Sequence, residues 1–183
     1  MMDEYDFISL DRNRFDHCQV MFRICGTPEG TSDKLFDSWG NVYFRETGIA
    51  PIVTVLQGDT EPHNGVAVVF FKRQSLDYTV VEIGVVVDEL HRNKGAGKLS
   101  VMNGMCAAAE AGYRFCVARI LDDNEASIAL FKSCGFIRGS WQNFWDVWPD
   151  RKEPHDNSGY YYAPCVIAQC DAIVRQHNKG ELK

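Results

Sequence analysis

Two glycines among three cations make His91-Arg92-Asn93-Lys94-Gly95-Ala96-Gly97-Lys98 the stretch best equipped for chemistry. The run before it, Val80-Val81-Glu82-Ile83-Gly84-Val85-Val86-Val87, is β-branched almost throughout and reads as a strand buried on both faces. After it, Leu99, Met102, Cys106 and Ala109 recur at helical spacing, and the pattern stops at Gly112. A glycine-rich turn therefore joins a strand end to a helix start. Backbone N–H groups without intrahelical partners and the positive end of the helix dipole converge there and favour an anion. Arg92, Lys94 and Lys98 add charge of the same sign, so the turn reads as a phosphate site. A nucleoside-triphosphate loop requires Gly-x-x-x-x-Gly-Lys-Ser/Thr. Here Leu99 follows Gly97-Lys98 and Arg92 stands where the leading glycine belongs, so that reading fails at both places. A dinucleotide fingerprint fails at Ser100, where its third glycine is required.

What remains is Arg92-x-x-Gly95-x-Gly97 behind a valine-rich strand, followed downstream by Asn124-Glu125-Ala126-Ser127-Ile128-Ala129-Leu130-Phe131-Lys132-Ser133-Cys134-Gly135-Phe136. The second block reads as a helix that Asp123 or Asn124 can cap, with Ser127, Leu130, Phe131 and Cys134 along one face. Gly135 supplies a left-handed C-terminal turn, and Phe136 the apolar contact that follows such turns. Over residues 80–138 the two blocks together resemble the GCN5-related N-acetyltransferase (GNAT) family, whose Arg/Gln-x-x-Gly-x-Gly/Ala signature holds the diphosphate of acetyl-coenzyme A. The resemblance implies one domain over residues 1–183 of the α/β class, with a central mixed β-sheet flanked by helices and parallel strands splayed at the coenzyme site. It implies acetyl-CoA as co-substrate and an amine as acceptor. The backbone of Val85, Val86 and Val87 would pair with the pantetheine arm as a pseudo-strand, and an amide near Val87 would polarise the thioester carbonyl. Arg92, Asn93, Lys94, Gly95, Ala96, Gly97 and Lys98 would surround the diphosphate, with Asn124 and Phe131 reaching the coenzyme from the second helix. Asn124 is also read as a plain helix cap, which is compatible with that contact.

Acetylating an amine requires a neutral nucleophile, a donor for the developing oxyanion and a proton for the departing thiolate. Glu82 is the one carboxylate within an otherwise apolar strand, a setting that disfavours its charge and makes it a better proton acceptor. The resemblance to histone-type members assigns it as general base, and the competing reading is a carboxylate paired with a nearby Lys or Arg or facing water. Ribosomal-protein-type members use a glutamate five residues before the motif asparagine, and here that position is Arg119. Many members carry a thiolate-protonating tyrosine where this chain has Phe131, which has no proton to give. Ser127 and Tyr160 to Tyr162 are the alternative hydroxyls, a phenol being favoured.

Other elements must position these groups. Tyr5 to Leu10 reads as an opening strand, with Phe15, Cys18, Met21 and Phe22 on one helical face and Leu35, Phe36 and Trp39 on another. Ile52 to Leu56 and Val66 to Phe71 flank a turn-rich cluster as a hairpin, and Phe115 to Leu121 is a strand between the motif helices. That order predicts a right-handed crossover, so the strands at 80–87 and 115–121 run parallel in a mixed sheet. Trp141, Phe144, Trp145 and Trp148 fall at helical spacing, while Trp141, Asn143, Trp145 and Val147 alternate as in a strand; the resemblance implies a strand there, after Gly135-Phe136, and Tyr160 to Ala168 reads as the last strand. The tyrosines there read as core and hairpin packing, or as pocket lining. Residues 177–183 read as a frayed end.

At 183 residues, 45% of them hydrophobic, the chain suits one domain with a real core. A net charge of −6 argues against a nucleic-acid partner and leans toward a cationic or amine substrate. No apolar run is long enough to span a bilayer and the N-terminus is not a signal-peptide start, so the expected location is cytoplasmic, with no membrane partner. The seven cysteines form no Cys-x-x-Cys pair and read as reduced, packed thiols rather than metal ligands. The leading function is acetyl-CoA-dependent N-acetylation of a primary amine on a small molecule or protein, by direct attack on the thioester. The alternative is a non-catalytic acyl-CoA-binding domain, and a nucleotide-binding loop protein comes third. The acceptor, the acyl-chain preference and the oligomeric state, a homodimer included, are left open.

Overall fold

The computed structural model of the chain describes residues 4–11, 19–20, 23–24, 47–73, 79–139 and 157–165. Within them the strands are β1 (Tyr5–Ser9), β2 (Ile52–Leu56), β3 (Ala67–Arg73), β4 (Val80–Val87), β5 (Phe115–Leu121), β6 (Ile137–Arg138) and β7 (Ser158–Pro164). The α-helices are α1 (Ala96–Glu110) and α2 (Glu125–Ser133). The strands form one mixed seven-stranded sheet in the order β1-β2-β3-β4-β5-β7-β6. Neighbours are antiparallel except β4 and β5, which run parallel as the crossover through α1 requires. The last strand begins two residues before Tyr160 and ends at Pro164, lying between β5 and β6. The helical faces expected around Phe15–Phe22 and Leu35–Trp39, the Trp141–Val147 region, Val166–Ala168 and the 177–183 tail lie outside the described residues.

Alternation along the strands sorts the side chains onto two faces. One face carries Val69, Phe71, Val81, Ile83, Cys116, Ala118, Ile120 and Tyr161, which pack with Val101 and Met105 of α1 and Phe131 of α2 as the main core. The other carries Val53, Val55 and Val68 against Leu10, Val20 and Ile24, and further along Val80 and Val117 with Tyr160 and Tyr162 against them.

The strand at 80–87 has the predicted boundaries, but it is not buried on both faces throughout. Val80, Val81 and Ile83 are buried, whereas Val85, Val86 and Val87 are only half-buried. The cause lies in the pairing. β4 meets β5 at Val80–Phe115, Val81–Cys116 and Glu82–Val117, and the ladder goes no further among the described residues. β3 follows β4 along Val81–Val87, and β7 follows β5 from Phe115 to Leu121. The sheet therefore forks after Glu82 and Val117.

The α1 stripe also differs from its predicted membership. Leu99 and Met102 are buried as expected, but Cys106 and Ala109 are half-buried, and Val101, Met105 and Ala108 fill the core instead. An Ala- and Met-rich helix is apolar nearly all round, so spacing alone picks its buried stripe poorly. Gly104 permits the closest approach to the sheet: a Cβ there would lie 2.8 Å from Ile83 Cδ1 and 3.0 Å from Val69 Cγ2.

Candidate coenzyme site

The fork leaves one edge of β4 open, and the hydrogen-bond parity identifies which groups face it. Asp88 N–H donates to Val66 O at 2.8 Å, so the backbone groups of residue 88 point toward the β3 side. Backbone direction alternates along a strand, so the N–H and C=O of Val86 also belong to the β3 ladder, while those of Val85 and Val87 point into the fork. Of the three valines expected to pair with a pantetheine arm, two therefore have backbone groups at the open edge. The Val86 backbone groups belong to the β3 ladder, and its side chain packs on the face of Val68.

The turn that follows is built in two steps. Asp88 starts a 3-10 turn at Glu89–His91, its Oδ1 accepting from Leu90 N–H at 3.0 Å and lying 3.3 Å from His91 Nδ1. Arg23 reaches Asp88 Oδ2 at 3.5 Å. Burial works to raise the Asp88 carboxyl, but the Leu90 and His91 hydrogen bonds and the charges of His91 and Arg23 outweigh it and hold the group below its ordinary value. The chain then takes positive φ at Asn93 (62°) and at Gly95 (94°), the cap of α1. Asn tolerates that region and Gly has no Cβ to oppose it. Tyr5 of β1 ties the turn down from below, its hydroxyl donating to Lys94 O at 3.2 Å.

Gly95 supplies no side-chain acceptor to α1, so the first-turn amides are left for a ligand at the positive end of the helix dipole. That turn is fixed underneath by a buried polar pair. Ser100 Oγ donates to Ala96 O at 2.7 Å and lies 2.5 Å from Thr54 Oγ1, so with its own proton committed it accepts from Thr54. Gly97 is where α1 touches both neighbours: a Cβ there would come within 3.0 Å of Val87 Cγ2 and 3.3 Å of Leu130 Cδ2.

Between α1 and α2 runs an open cavity of about 710 Å³. Val85, Val86 and Val87 line it from β4, Arg92, Asn93, Gly95, Gly97 and Lys98 from the turn and first helical turn, and Asn124, Ala126, Ser127, Ala129, Leu130 and Ser133 from α2. Asn124, not Asp123, caps α2, its Oδ1 accepting from Ser127 N–H at 3.1 Å. The cap employs the oxygen and leaves the amide N–H donors of the same side chain to other partners.

Lys94, Ala96 and Phe131 are not among the lining residues. Lys94 is exposed on the turn and Ala96 is buried under it. Phe131 is explained by the end of α2. Phe136 N–H donates to Phe131 O at 3.1 Å and Gly135 N–H to Lys132 O at 3.0 Å, the two bonds of a Schellman motif, with Gly135 at φ 88°. The apolar contact of that motif is Phe131 against Phe136, ring centroids 5.0 Å apart and edge to face, with both residues in the main core.

Glu82 is half-buried at the vertex of the fork, on the last β4–β5 pair. Its face is that of Val80 and Val117, opposite to the motif helices. Tyr160 and Tyr162 share this face, Tyr161 is in the core beneath the helices, and Ser127 lines the cavity. Cys134, beside the cavity, donates toward Lys98 O at 3.8 Å. Burial pushes its thiol up to about 11 against smaller opposing effects of Ser133 and Lys98, which favours the protonated form at neutral pH.

Sequence reasoning missed Tyr5, Thr54 and Ser100, since contacts across 89 and 46 residues leave no local signal. It also missed that Cys116 and Cys165 Sγ atoms lie 3.3 Å apart across the β5–β7 pair.

The chain matches the model of the acetyltransferase (GNAT) family over residues 29–136. No curated protein matches it by sequence. Among solved structures, a protein of Acinetobacter baylyi ADP1 assigned as an acetyltransferase is similar at TM-score 0.65 and 16% identity, over 90% of this chain and 94% of that one. A protein of Salmonella typhimurium, assigned as an acetyltransferase and solved with its cofactor acetyl-CoA, is similar at TM-score 0.62 and 17% identity, over 90% and 95%. A GNAT acetyltransferase of Streptococcus pneumoniae is similar at TM-score 0.62 and 12% identity, over 88% and 99%. With the forked sheet, the uncapped helix start and the family match over most of the region that builds them, this chain belongs to the GNAT acetyltransferase family.

Proposed function

We propose that the protein is an acetyl-CoA-dependent N-acetyltransferase acting on a primary amine by direct attack on the thioester. The observation that supports this most is the fork itself, whose open β4 edge leads into a cavity of about 710 Å³ ending at the uncapped start of α1. A chain-like ligand with an anionic end suits that combination: an edge to pair with, then amides and cations to hold charge.

In this reading Val85 and Val87 offer their outward N–H and C=O groups to the pantetheine arm, and the Val87 N–H steadies the thioester oxygen as negative charge grows on it. The first-turn amides after Gly95, with Arg92, Asn93 and Lys98, hold the diphosphate. Lys94 adds charge from the exposed turn, and Asn124 reaches the pantetheine with its amide N–H. Acetyl-CoA supplies an acetyl group already activated as a thioester: as the C–N bond to the amine forms, the C–S bond breaks and the coenzyme leaves as its thiolate. Glu82, at the vertex, accepts the ammonium proton of the acceptor, which approaches from the face opposite the helices.

The test is release of free thiol from acetyl-CoA against a panel of polyamines, aminoglycosides, amino acids and peptides. Thiol release that depends on one amine class supports the reading. Tight CoA binding with no release from any amine would favour a non-catalytic acyl-CoA-binding domain instead.

A further inference from the structure

Away from the cavity, two cysteines meet at the end of β5 where its pairing with β7 closes. Cys116 opposes Ala163 across that pair, and Cys165 follows two residues later, just past Pro164. Cys165 N–H donates to Arg114 O at 2.8 Å, which carries the ladder one residue beyond β7 and fixes where Cys165 stands. Strand alternation sets Cys116, Ala163 and Cys165 on one face, the first two inside the main core and the third packed against it. The two Sγ atoms lie 3.3 Å apart, on residues separated by 49 in sequence. Cys116 is fully buried, whereas Cys165 is half-buried at the margin of the core.

Two thiols in contact, one within reach of solvent and one enclosed, divide the work of disulfide formation. A small oxidant meets the outer sulfur first, and the inner one is already in place to resolve the product. We propose that Cys165 and Cys116 form a peroxide-oxidisable pair that closes into a disulfide and staples β7 to β5. Hydrogen peroxide gives one oxygen to the Cys165 sulfur, leaving a sulfenic acid and one water. The Cys116 sulfur then attacks that sulfur: the S–S bond forms, the S–O bond breaks, and the hydroxyl leaves as a second water with the Cys116 proton. Two thiols are oxidised and one peroxide is reduced. A dithiol reverses the step by exchange. The sulfurs need to close by only roughly 1 Å to reach the bonded distance of about 2.0 Å. Cys116 precedes Val117, the last β5 residue paired with β4, so the staple sits at the closed end of the fork. This inference is independent of the acetyl-transfer reading.

The experiment exposes the reduced full chain to hydrogen peroxide, blocks remaining thiols with N-ethylmaleimide, and maps peptides by mass spectrometry without reduction. Melting temperature is followed alongside. The wild type should yield a Cys116–Cys165 linked peptide and melt roughly 4–16 °C higher, the scale of a crosslink that closes a long loop, with dithiothreitol restoring both. Cys165→Ser should show neither the link nor the rise. Cys116→Ala should leave Cys165 as a sulfenic acid that dimedone captures. Both cysteines recovered as thiols, Cys165 linked to another cysteine, or Cys165 carried to the sulfinic acid with Cys116 intact overturns the pair. A linked peptide with no rise in melting temperature overturns the staple.

Discussion

Gly95→Ala probes the turn proposed to hold the diphosphate, with little else disturbed. Gly95 holds φ 94°, and nothing lies within 4 Å of the position a Cβ would take, so alanine brings strain without a clash. For a residue with a Cβ the left-handed region costs roughly 1–2 kcal/mol. Asn93, Lys94 and Gly95 are all exposed; among the described residues Tyr5 donates to Lys94 O and Leu99 N–H to Gly95 O, bonds worth about 1 kcal/mol each. Strain and restraint are of similar size, so the turn should relax rather than unfold the domain, and the loss should appear in ligand affinity. The expected result is a fall in CoA affinity of roughly 5- to 30-fold, the same free energy expressed as a ratio. The melting temperature should stay within about 3 °C of wild type. Gly95→Asn, which tolerates the conformation, should lose less. Gly95→Glu should lose more, since a carboxylate there repels the diphosphate. Titration calorimetry with CoA, paired with thermal melts, measures both quantities. An alanine variant with wild-type affinity and wild-type stability refutes the reasoning.

Three further outcomes follow from the same structure. Glu82→Gln should lower kcat by about a hundredfold to ten-thousandfold while leaving CoA affinity unchanged, and a pH–rate profile identical to wild type would remove Glu82 as the base. Ser100→Ala leaves the buried Thr54 hydroxyl without its acceptor and should cost about 1–3 kcal/mol, seen as a melting temperature lower by about 2–10 °C; equal stability would contradict the polar pair beneath α1. Because Asp88 is held below its ordinary value when folded, its contribution is complete above about pH 4 and lost as pH falls through the folded value. The stability difference between wild type and Asp88→Asn should therefore be flat above about pH 5 and shrink on further acidification. A difference that grows toward acid reverses the sign of the argument.

Features set by local chemistry were legible in the chain. Val80–Val87 has its predicted ends, the motif helix ends in the left-handed turn at Gly135 that its sequence called for, and Asn124 caps that helix at the expected place. The parallel pairing of β4 and β5 followed from the intervening helix. What stayed hidden depends on where neighbours go. Nothing within Val85-Val86-Val87 records that β5 turns away after Val117; the splay was legible only through the family resemblance, and the β4–β5 pairing gives its vertex at Glu82 and Val117. Phe131 read as a coenzyme contact by motif position, yet its ring is paired with Phe136 by the turn that follows it. The bonds from Tyr5 to Lys94 and between Thr54 and Ser100 join segments that only the folded sheet brings together.

Amide hydrogen exchange with and without saturating CoA tests the central claim, that the open edge of β4 and the start of α1 together grip the coenzyme. The account predicts slowed exchange at Val85 and Val87 and at Ala96 to Lys98, with Val86, already in the β3 ladder, little changed. Bound CoA that leaves those amides exchanging as before, or protects a different surface, contradicts it.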